Sequence, residues 1–506
     1  MDSELAARHD LFDRLAADFL GLDCVDPVRT LDGAGTTRRR VYMDTTATAL
    51  MPRWVWQGLQ DYLERSCANS HTHAHRGGRA TTEAISSSRD AIGRLVGYEP
   101  GQDVVLFTAN GATGAINFLA RALFPPEVRS IIKRFPDGAP QAFVETFAEA
   151  LGARGAEILA RLQARPLVVS SRMEHHSNLL PWIEAVGRHN FRVAPVDPIG
   201  GAIDLDALAR ILEEEGDRVR LVAITATSNV TGIATPVHDV ARLAHAVGAE
   251  LMVDGAQWVP HAPVSLHRDD PAEDIDYLVF SGHKLYAPGS RGALIGKLST
   301  LRDARCVTDV GGGMVEYVSM EDYEVKEEVT AREEAGTPNI LGTIAMGLVA
   351  NALLETGMDV VQEREHRLTI RLVERLSRIP SVRILGSTDL QTVHRAGVVS
   401  FDVGGVPYGL VASYLDDFHN IAVRDGCFCA NPYVRDLLGC TTQRPTESSG
   451  LVRASLGIYS TEDDIEDLGL ALEALVKDRE RIAALYGQDE HGWRLQEGPP
   501  TSLSAP

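Results

Sequence analysis

Two cysteines, Cys427 and Cys429, lie two residues apart in the stretch VRDGCFCANP, residues 423–432. Such a pair could bind a metal, form a disulfide, pack as inert thiols or supply a nucleophile, and the spacing alone leaves all four interpretations open. No second Cys pair or Cys/His pair has zinc-site spacing, so we predict no metal site. Six cysteines in 506 residues are too sparse for a disulfide framework. The inert interpretation is kept for the other four, Cys24, Cys67, Cys306 and Cys440.

A lysine lies just past an apolar run, inside a glycine-bounded turn, in VFSGHKLYAPG, residues 279–289. Lys284 is either a lysine whose charge reaches the protein surface, or a cleft lysine whose desolvated amine forms a Schiff base. A second apolar run, LMVDGAQWV (251–259), contains Asp254, which alone is most often a turn or capping residue. Pyridoxal phosphate (PLP) needs a carboxylate at its pyridinium nitrogen as well as a lysine. Asp254 and Lys284 together therefore indicate a PLP site.

Two further stretches have residue types that suit this cofactor. FTANGATGAIN (107–117) predicts a strand, a turn and a helix, whose first backbone amides and the Thr113 hydroxyl would form a phosphate cradle. This signal is weak alone, since glycine turns before helices are common. SSRMEHHSNLLPW (170–182) contains the adjacent pair His175 and His176. Adjacent side chains point in different directions, so an imidazole stacked on a flat cofactor is favoured over a metal site for one of them.

The elements that must position these residues are short apolar runs alternating with helical patterns from about residue 41 to residue 300. This alternation predicts an α/β domain with a mostly parallel sheet covered on both faces. Ligands of such sheets bind at the carboxyl ends of the strands, which is where the candidate residues lie. The strand candidates are DVVLF, PLVVSS, RLVAIT, ELMVDG, DYLVFSG and GALIG.

The chain is predicted to have an N-terminal helical arm, two domains and a disordered tail. A helical stretch over 340–378 would lead to a smaller α+β domain with strands in SVRIL, AGVVSFDV and NIAVR. Its last helix, about 461–485, would begin after Ser460 or Thr461. The predicted boundaries are 1–40 for the arm, 41–340 for the large domain with an insertion at 122–165, 341–485 for the small domain and 486–506 for the tail.

Charge and hydropathy exclude some classes of partner. The chain has 70 acidic and 49 basic residues, and a net charge of −21 disfavours nonspecific binding to nucleic acid or anionic membranes. No apolar run reaches the length of a membrane span, and the start MDSELAARHD lacks the regions of a signal peptide. We therefore expect a cytoplasmic protein with neither nucleic acid nor membrane as a partner.

Seven blocks in order resemble one family: MEHHSNLLPW, TSNVTG, VDGAQ, FSGHKLYAPG, EAGTPN, VRDGCFCA and VRASLGIYST. They are similar to the class V aminotransferase fold, and within it to cysteine desulfurases and selenocysteine lyases of the SufS type. The resemblance runs from about residue 41 to residue 475. It implies the fold type I of PLP-dependent transferases, with a seven-stranded, mostly parallel large domain and a smaller α+β C-terminal domain.

The resemblance implies a role for each matching position. Lys284 would hold PLP, Asp254 would pair with the pyridine nitrogen, and His175 would stack on the ring. Gln257 would reach the phenolic oxygen. The cofactor's remaining contacts would come from Ala112, Thr113, Asn229, Ser281, His283 and, in a homodimer, Thr337 of the partner. The substrate contacts would come from His75, Asn229, Arg424 and Arg453, with Arg453 clamping the α-carboxylate.

The same resemblance separates the two cysteines. The sulfur-accepting nucleophile of the family falls on Cys429, whereas relatives commonly have histidines at 427 and 428, and the GCFC loop also resembles molybdenum-cofactor sulfurases. Whether Cys427 assists, resolves a persulfide or is only packed stays open. The implied reaction is removal of sulfur from L-cysteine, with alanine released and a Cys429 persulfide passed to an acceptor, which could be a protein.

Two alternatives stay open at this point. One is a lyase, epimerase or transaminase of the same fold that forms no persulfide, since fold does not fix function. The other is a degenerate PLP-fold protein that only binds a partner, which the intact Lys284, Asp254 and Arg453 argue against. The 122–165 insertion and the segment CTTQRPTESSG at 440–450 lie where partner or substrate specificity could be set.

Overall fold

The structure is a computed structural model that describes residues 2–33, 35–135, 140, 145–146, 166–304, 309–440, 450–490 and 492–496. Most of the predicted insertion (122–165), residues 441–449 of the segment at 440–450, Cys306 and the last ten residues therefore lie outside the described residues.

The helices of the described residues are, in chain order, α1 (Asp2–Ala16), α2 (Arg53–Arg65), α3 (Arg76–Leu95), α4 (Gly111–Leu123), α5 (Pro126–Arg134), α6 (Leu180–Val186), α7 (Leu205–Glu215), α8 (Val237–Ala246), α9 (Leu298–Ala304), α10 (Val329–Glu333), α11 (Ile340–Thr356), α12 (Met358–Ser377), α13 (Tyr408–His419), α14 (Asn431–Leu437), α15 (Glu462–Lys477) and α16 (Arg479–Ala483).

The strands are β1 (Val25–Arg29), β2 (Gly35–Arg39), β3 (Val41–Tyr42), β4 (Asp103–Thr108), β5 (Leu167–Ser171), β6 (Phe191–Ala194), β7 (Val219–Thr225), β8 (Glu250–Asp254), β9 (Tyr277–Ser281), β10 (Gly292–Lys297), β11 (Val315–Val318), β12 (Tyr323–Val325), β13 (Val382–Ile384), β14 (Val398–Val403), β15 (Ile421–Ala422), β16 (Arg424–Gly426), β17 (Leu451–Ser455), β18 (Tyr486–Asp489) and β19 (Gly492–Leu495).

The large domain is built on a seven-stranded sheet in the order β4-β10-β9-β8-β7-β5-β6. Strand β10 pairs antiparallel with both of its neighbours, and the pairs β9-β8, β8-β7, β7-β5 and β5-β6 are parallel. Every residue of β7 is buried, as expected for a strand rich in β-branched residues and covered on both faces. The six predicted strands and the mostly parallel sheet are confirmed.

Strand β6 was not predicted. It is a four-residue edge strand of which only Ala194 is buried, so it lacks the continuous apolar run that marks its neighbours. Its pairing with β5 depends on tertiary contacts that a short half-exposed sequence does not reveal.

The small domain has an antiparallel sheet in the order β13-β14-β17-β16, packed on α12, α13 and α15 through a separate hydrophobic core. The predicted α+β architecture is confirmed. The predicted strand NIAVR divides, since β15 pairs with β3 at the start of the large domain while β16 joins the small sheet. Thr461 is the N-cap of α15 in a capping box with Asp464, and the predicted helix is divided into α15 and α16.

The two ends of the chain contain more structure than the sequence indicates. Helix α1 is present in the arm, but β1 and β2 form a hairpin that contacts α13. The C-terminal part was predicted to be a disordered tail from residue 486. Over Tyr486–Leu495, β18 and β19 instead form a second hairpin against the small domain. The Ser413 hydroxyl donates to the Trp493 carbonyl at 2.9 Å, and the Tyr486 hydroxyl donates to Asp417 at 3.0 Å. Tyr486 is buried and Trp493 packs partly buried against the core of the small domain, and these aromatic contacts stabilise the hairpin.

Among the described residues, no single helix is long and apolar enough to cross a membrane, and α11 with α12 reach that composition only as a pair bent by 84°.

Gly232 lets the two domains approach closely. Its φ is +73°, and a Cβ added there would lie 2.6 Å from the Val398 carbonyl oxygen and 2.8 Å from that of Ala396. The Ala396 amide donates to the Gly232 carbonyl at 2.8 Å. A side chain at this position would separate β14 from the large domain.

We expect Gly232→Ala to lower the free energy of unfolding by about 3 kcal/mol, because a left-handed alanine is strained and its methyl group meets backbone atoms. Urea unfolding measures the change. The matched control is Gly101→Ala, where φ is +91° and no atom lies within 4 Å of an added Cβ, so that only about 1–2 kcal/mol of strain applies. Equal losses in the two variants would contradict the close-approach argument.

Candidate active site

A cavity of about 230 Å³ lies at the carboxyl ends of β7, β8 and β9. Twelve of the fourteen predicted site residues line it, which brings together side chains from seven separate stretches of the sequence and from both domains. They are Ala112, Thr113, His175, Asn229, Asp254, Gln257, Ser281, His283, Lys284, Arg424, Cys429 and Arg453.

Lys284 and Asp254 form the electrostatic centre of this cavity. Asp254 ends β8 and is only 4% exposed, and its Oδ1 accepts a hydrogen bond of 3.0 Å from the Ala256 amide. Burial lowers the pKa of Lys284 to about 8, and the nearby Asp254 opposes that shift. Burial also raises the pKa of Asp254, which Lys284 counteracts. The pair therefore offers an amine that is partly neutral near neutral pH, beside a buried carboxyl group.

The N-terminus of α4 forms a cradle of polar groups on one side of the cavity. Asn110 and Gly111 have φ of +59° and +63°, and a Cβ at Gly111 would lie 2.7 Å from Ser281 Oγ, so only glycine fits. The Ala112 amide donates to Ser281 Oγ at 2.8 Å. Thr113 Oγ1 lies 2.6 Å from Ser177 Oγ. Amides and hydroxyls converging at the start of a 13-residue helix suit an anionic group.

His175 enters the cavity from a tight turn after β5. Its Nδ1 accepts from the Ser177 amide at 3.1 Å, which fixes the ring at the start of a 3₁₀ turn over His176–Asn178. Burial lowers the pKa of His175 to about 3, and the Lys284 charge acts in the same direction. The imidazole is therefore neutral at physiological pH and can lie flat against an apolar ring.

A buried hydrogen-bond network supports that turn. The fully buried Glu174 accepts from the Ser171 hydroxyl and, at 2.7 Å, from Asn178 Nδ2. The Trp182 indole donates to Asn178 Oδ1 at 2.9 Å, which joins the turn to α6. Burial raises the pKa of Glu174 to about 8, so the side chain is a neutral acid at pH 7.

Arg453 is a buried cation in the part of the cavity where the substrate is predicted to bind. It lies on β17, is 3% exposed, donates to the Asn229 carbonyl at 3.0 Å and pairs with Asp44 at 3.3 Å. Its guanidinium lies 4.7 Å from the centroid of the Phe428 ring. Arg424 reaches the same Asp44 at 3.7 Å, but its side chain is 56% exposed. Arg453 Nε has no hydrogen-bond partner among the described residues, so it is available to a ligand.

Asp44 and Thr46 were not singled out in the sequence. Asp44 pairs with both arginines, and burial raises its pKa against their charges. The sequence did contain a signal for Asp44, because this residue follows the short apolar run VYM just as Asp254 follows LMV. Thr46 lines the cavity, and its carbonyl accepts from Gln257 Nε2 at 2.9 Å.

The structure separates the two cysteines of the GCFC sequence. Cys429 is exposed and lines the cavity. Cys427 is partly buried against the hydrophobic core of the large domain and is not among the described residues that line the cavity. Between them, Asn229 Nδ2 donates to the Phe428 carbonyl at 2.8 Å. Among the described residues, no cluster of three or more His, Cys, Asp or Glu side chains could hold a metal ion.

Two predicted residues lie outside the cavity of this chain. The exposed His75 is the N-cap of α3, and its Nδ1 accepts from the Gly78 amide at 3.1 Å. Thr337 is exposed, and its hydroxyl accepts from Asn69 at 3.2 Å. Their roles toward a cofactor or substrate stay predictions.

A mostly parallel seven-stranded sheet with a buried carboxyl and a lysine at its carboxyl edge, beside a smaller α+β domain, is the architecture of the PLP-dependent transferases of fold type I. The sequence profile described as "Aminotransferase class-V" matches residues 41–134 and 142–468. The chain belongs to the class V aminotransferase family, whose members are PLP enzymes.

Similar proteins are named cysteine desulfurases. A cysteine desulfurase from Dickeya dadantii is 31% identical over 474 residues, which cover 92% of this chain and 97% of that protein. One from Synechococcus elongatus is 31% identical over 440 residues, which cover 87% of this chain and 61% of the relative's own length. The apo structure of a cysteine desulfurase from Thermococcus onnurineus matches with a TM-score of 0.70 and 28% identity over 87% of this chain and 95% of that one.

Glu174 gives the folded protein a pH-dependent stability. Its folded pKa of about 8 lies above the ordinary 4.5, so the folded state binds more protons between these values, and stability falls as pH rises through this window. We expect Glu174→Gln, a neutral isostere, to match the wild type at pH 5 and to exceed it at pH 8 by on the order of 3 kcal/mol.

Urea unfolding of the two proteins at each pH measures this difference. The matched control is Glu213→Gln, which replaces an exposed glutamate on α7. If the free energy of unfolding changed equally with pH in the wild type and in Glu174→Gln, Glu174 would not hold a proton in the folded state.

Proposed function

We propose that this chain is a PLP-dependent cysteine desulfurase, which removes the sulfur of L-cysteine, releases alanine and retains a persulfide on Cys429 for transfer to an acceptor. One observation carries the proposal: Cys429 lines the same cavity as Lys284 and Arg453. A thiol, an amine of lowered pKa and a buried guanidinium thus face one small volume. The names of the curated relatives and of the solved structure support the same reaction.

The residues of the cavity fit PLP. Gln257 Oε1 and Thr46 Oγ1 are buried and have no hydrogen-bond partner among the described residues. An unpartnered buried polar atom costs about 1–3 kcal/mol, so both atoms are suited to a polar ligand in the cavity. The cradle at α4 suits a phosphate, and Asp254 suits a protonated ring nitrogen.

In this assignment Lys284 would hold the cofactor, Asp254 would pair with the pyridine nitrogen and His175 would lie against the ring. The Ala112 amide, Thr113, Ser281 and His283 would bind the phosphate, and Gln257 and Asn229 would complete the polar contacts. When bound, PLP supplies an electron sink for the negative charge that develops at the substrate Cα.

The chain's own side chains perform the remaining work. Arg453 binds the α-carboxylate, because its guanidinium is buried and fixed by Asp44 and the Asn229 carbonyl, and its Nε–H has no partner within the described part of the chain. Lys284, with a pKa of about 8, accepts and returns the proton of Cα. The Cys429 thiolate attacks the substrate sulfur, so that the S–S bond of the persulfide forms as the Cβ–S bond of the substrate breaks. The electron pair of the broken bond stays with the carbon part, which takes up a proton at Cβ and leaves as alanine.

The decisive experiment compares Cys429→Ser with the matched variant Cys427→Ser. Alanine and sulfide released from L-cysteine in the presence of a thiol reductant measure turnover, and mass spectrometry measures the added sulfur atom on the 423–432 peptide. We expect Cys429→Ser to lose persulfide formation and at least about tenfold in alanine release, while its visible cofactor absorption is retained. Cys427→Ser is expected to retain both activities, since Cys427 packs against the core.

Other results would redirect the assignment. Sulfur transfer by Cys429→Ser would refute the role of Cys429. If neither variant changes turnover, a lyase, epimerase or transaminase of the same fold replaces the desulfurase. A wild-type protein without a visible cofactor absorption band would contradict the PLP site. So would a band that is still present in Lys284→Ala.

Arg453 and Arg424 provide a matched test of substrate binding. We expect Arg453→Lys to raise the KM for L-cysteine at least about tenfold, because a lysine cannot reproduce the two-pronged contact with a carboxylate in a buried site. Arg424→Lys is expected to change KM less than about threefold, since exposed ion pairs contribute little. A larger effect at position 424 would assign the carboxylate to Arg424 instead.

Membership of the family supports three further parts of the proposal, namely the substrate, the acceptor and a dimer. L-cysteine is the favoured substrate, and the acceptor could be a protein that approaches the exposed Cys429. A homodimer would give His75 and Thr337 a place to act, since both are exposed in this chain and lie outside its cavity. Size-exclusion chromatography with light scattering would detect the dimer.

A further inference from the structure

The second histidine of the EHHSN sequence does not line the cavity, yet it contacts the loop that presents Cys429. We call residues 427–430 the cysteine loop. The His176 backbone amide donates to the Cys429 carbonyl at 2.7 Å. The His176 side chain accepts at Nε2 a hydrogen bond of 3.2 Å from the amide of Asn431, the first residue of α14. One residue therefore binds the chain on both sides of Ala430.

The cysteine loop needs such external contacts because its backbone conformation is unfavourable. Phe428 and Cys429 have φ of +53° and +55°, a left-handed conformation that residues with a Cβ rarely adopt. Two such residues in succession relax unless their surroundings hold them in place. The Ala430 amide closes the loop by donating to the Cys427 carbonyl at 2.9 Å.

The contacts also hold the loop across a domain boundary. Strand β16, which precedes the loop, belongs to the small sheet, whereas Phe428, Ala430 and Val434 pack in the core of the large domain. His176 belongs to the large domain, in the same turn as the cavity residue His175. A single turn thus fixes His175 and, through His176, the cysteine loop.

The side-chain contact requires a neutral imidazole, since a protonated ring has no acceptor. His176 is partly buried, and burial lowers its pKa, which favours the neutral ring. Nε2 accepts, so the ring proton lies on Nδ1. A glutamine side chain of similar reach has an acceptor oxygen and can take over this contact, whereas a leucine can only fill the volume.

We propose that His176 is a positioning residue for Cys429, holding the cysteine loop in its left-handed conformation so that the thiol faces the cavity. This inference rests on the proposed function in one respect, the identity of Cys429 as the sulfur acceptor. The geometry of the loop itself does not depend on the reaction.

The test compares His176→Leu, His176→Gln and the matched control His189→Leu, which replaces an exposed histidine in the next turn of the same domain. The first readout is the rate at which iodoacetamide alkylates Cys429 at pH 7, followed by peptide mass spectrometry, and it needs no substrate. The second is kcat and KM for alanine release from L-cysteine. Thermal unfolding and the visible cofactor absorption report on the fold.

We expect His176→Leu to change the Cys429 alkylation rate at least threefold and to lower kcat about tenfold, with KM within twofold of the wild type. His176→Gln is expected to restore both rates to within about threefold, and His189→Leu to leave them unchanged. A His176→Leu protein with wild-type alkylation and kcat would overturn the inference. So would equal damage in the leucine and glutamine variants, because loss of the acceptor would then not be the cause.

The outcomes distinguish this inference from the proposed function. If the wild type forms no persulfide from L-cysteine, the proposed function fails, while the alkylation rates still test whether His176 positions Cys429. If the wild type forms the persulfide and His176→Leu does so at the same rate, only the inference fails.

Discussion

The site depends on two opposite charges, Lys284 and Asp254, that are kept largely out of water at the edge of one sheet. Burial makes the charged form of each less favourable, and each is the partner that limits the shift of the other. The result is an amine that can be neutral and a carboxyl that can meet a cationic ring. A more exposed pair would remain fully charged and would be screened by water.

The parallel sheet brings these two side chains together. Parallel strands place their carboxyl ends along one edge, so Asp254 at the end of β8 and Lys284 just after β9 come from neighbouring strands. The other polar groups of the cavity follow β5, β7 and the turn into α4. Strand interiors such as β7 are wholly buried, which fixes the edge firmly enough to hold charges in a small volume.

The second requirement is contact between the domains. Arg453 lies on β17 and Cys429 follows β16, both strands of the small sheet, whereas the predicted cofactor residues belong to the large domain. The contact is made by backbone proximity at Gly232, by the Asn229 hydrogen bonds to Phe428 and Arg453, and by an ion pair in which Arg172 donates to Asp436 of α14. These bonds are directional and short, so the thiol and the guanidinium are placed relative to Lys284 rather than only near it.

Local signals in the sequence predicted the sheet, Lys284, Asp254 and the cradle at Thr113, because apolar runs followed by a lysine, an acid or a glycine turn are visible without a structure. The other site residues were predicted only through the resemblance to a family. The sequence did not reveal β6 or the two terminal hairpins, whose stability comes from packing against other elements. Asp44 had a visible signal, but its importance lies in two arginines far along the chain. The resemblance placed the nucleophile on Cys429, but only the tertiary structure shows that Cys427 packs against the core while Cys429 lines the cavity. Two residues apart, they are chemically alike, and the left-handed turn between them directs one to the core and the other to the cavity.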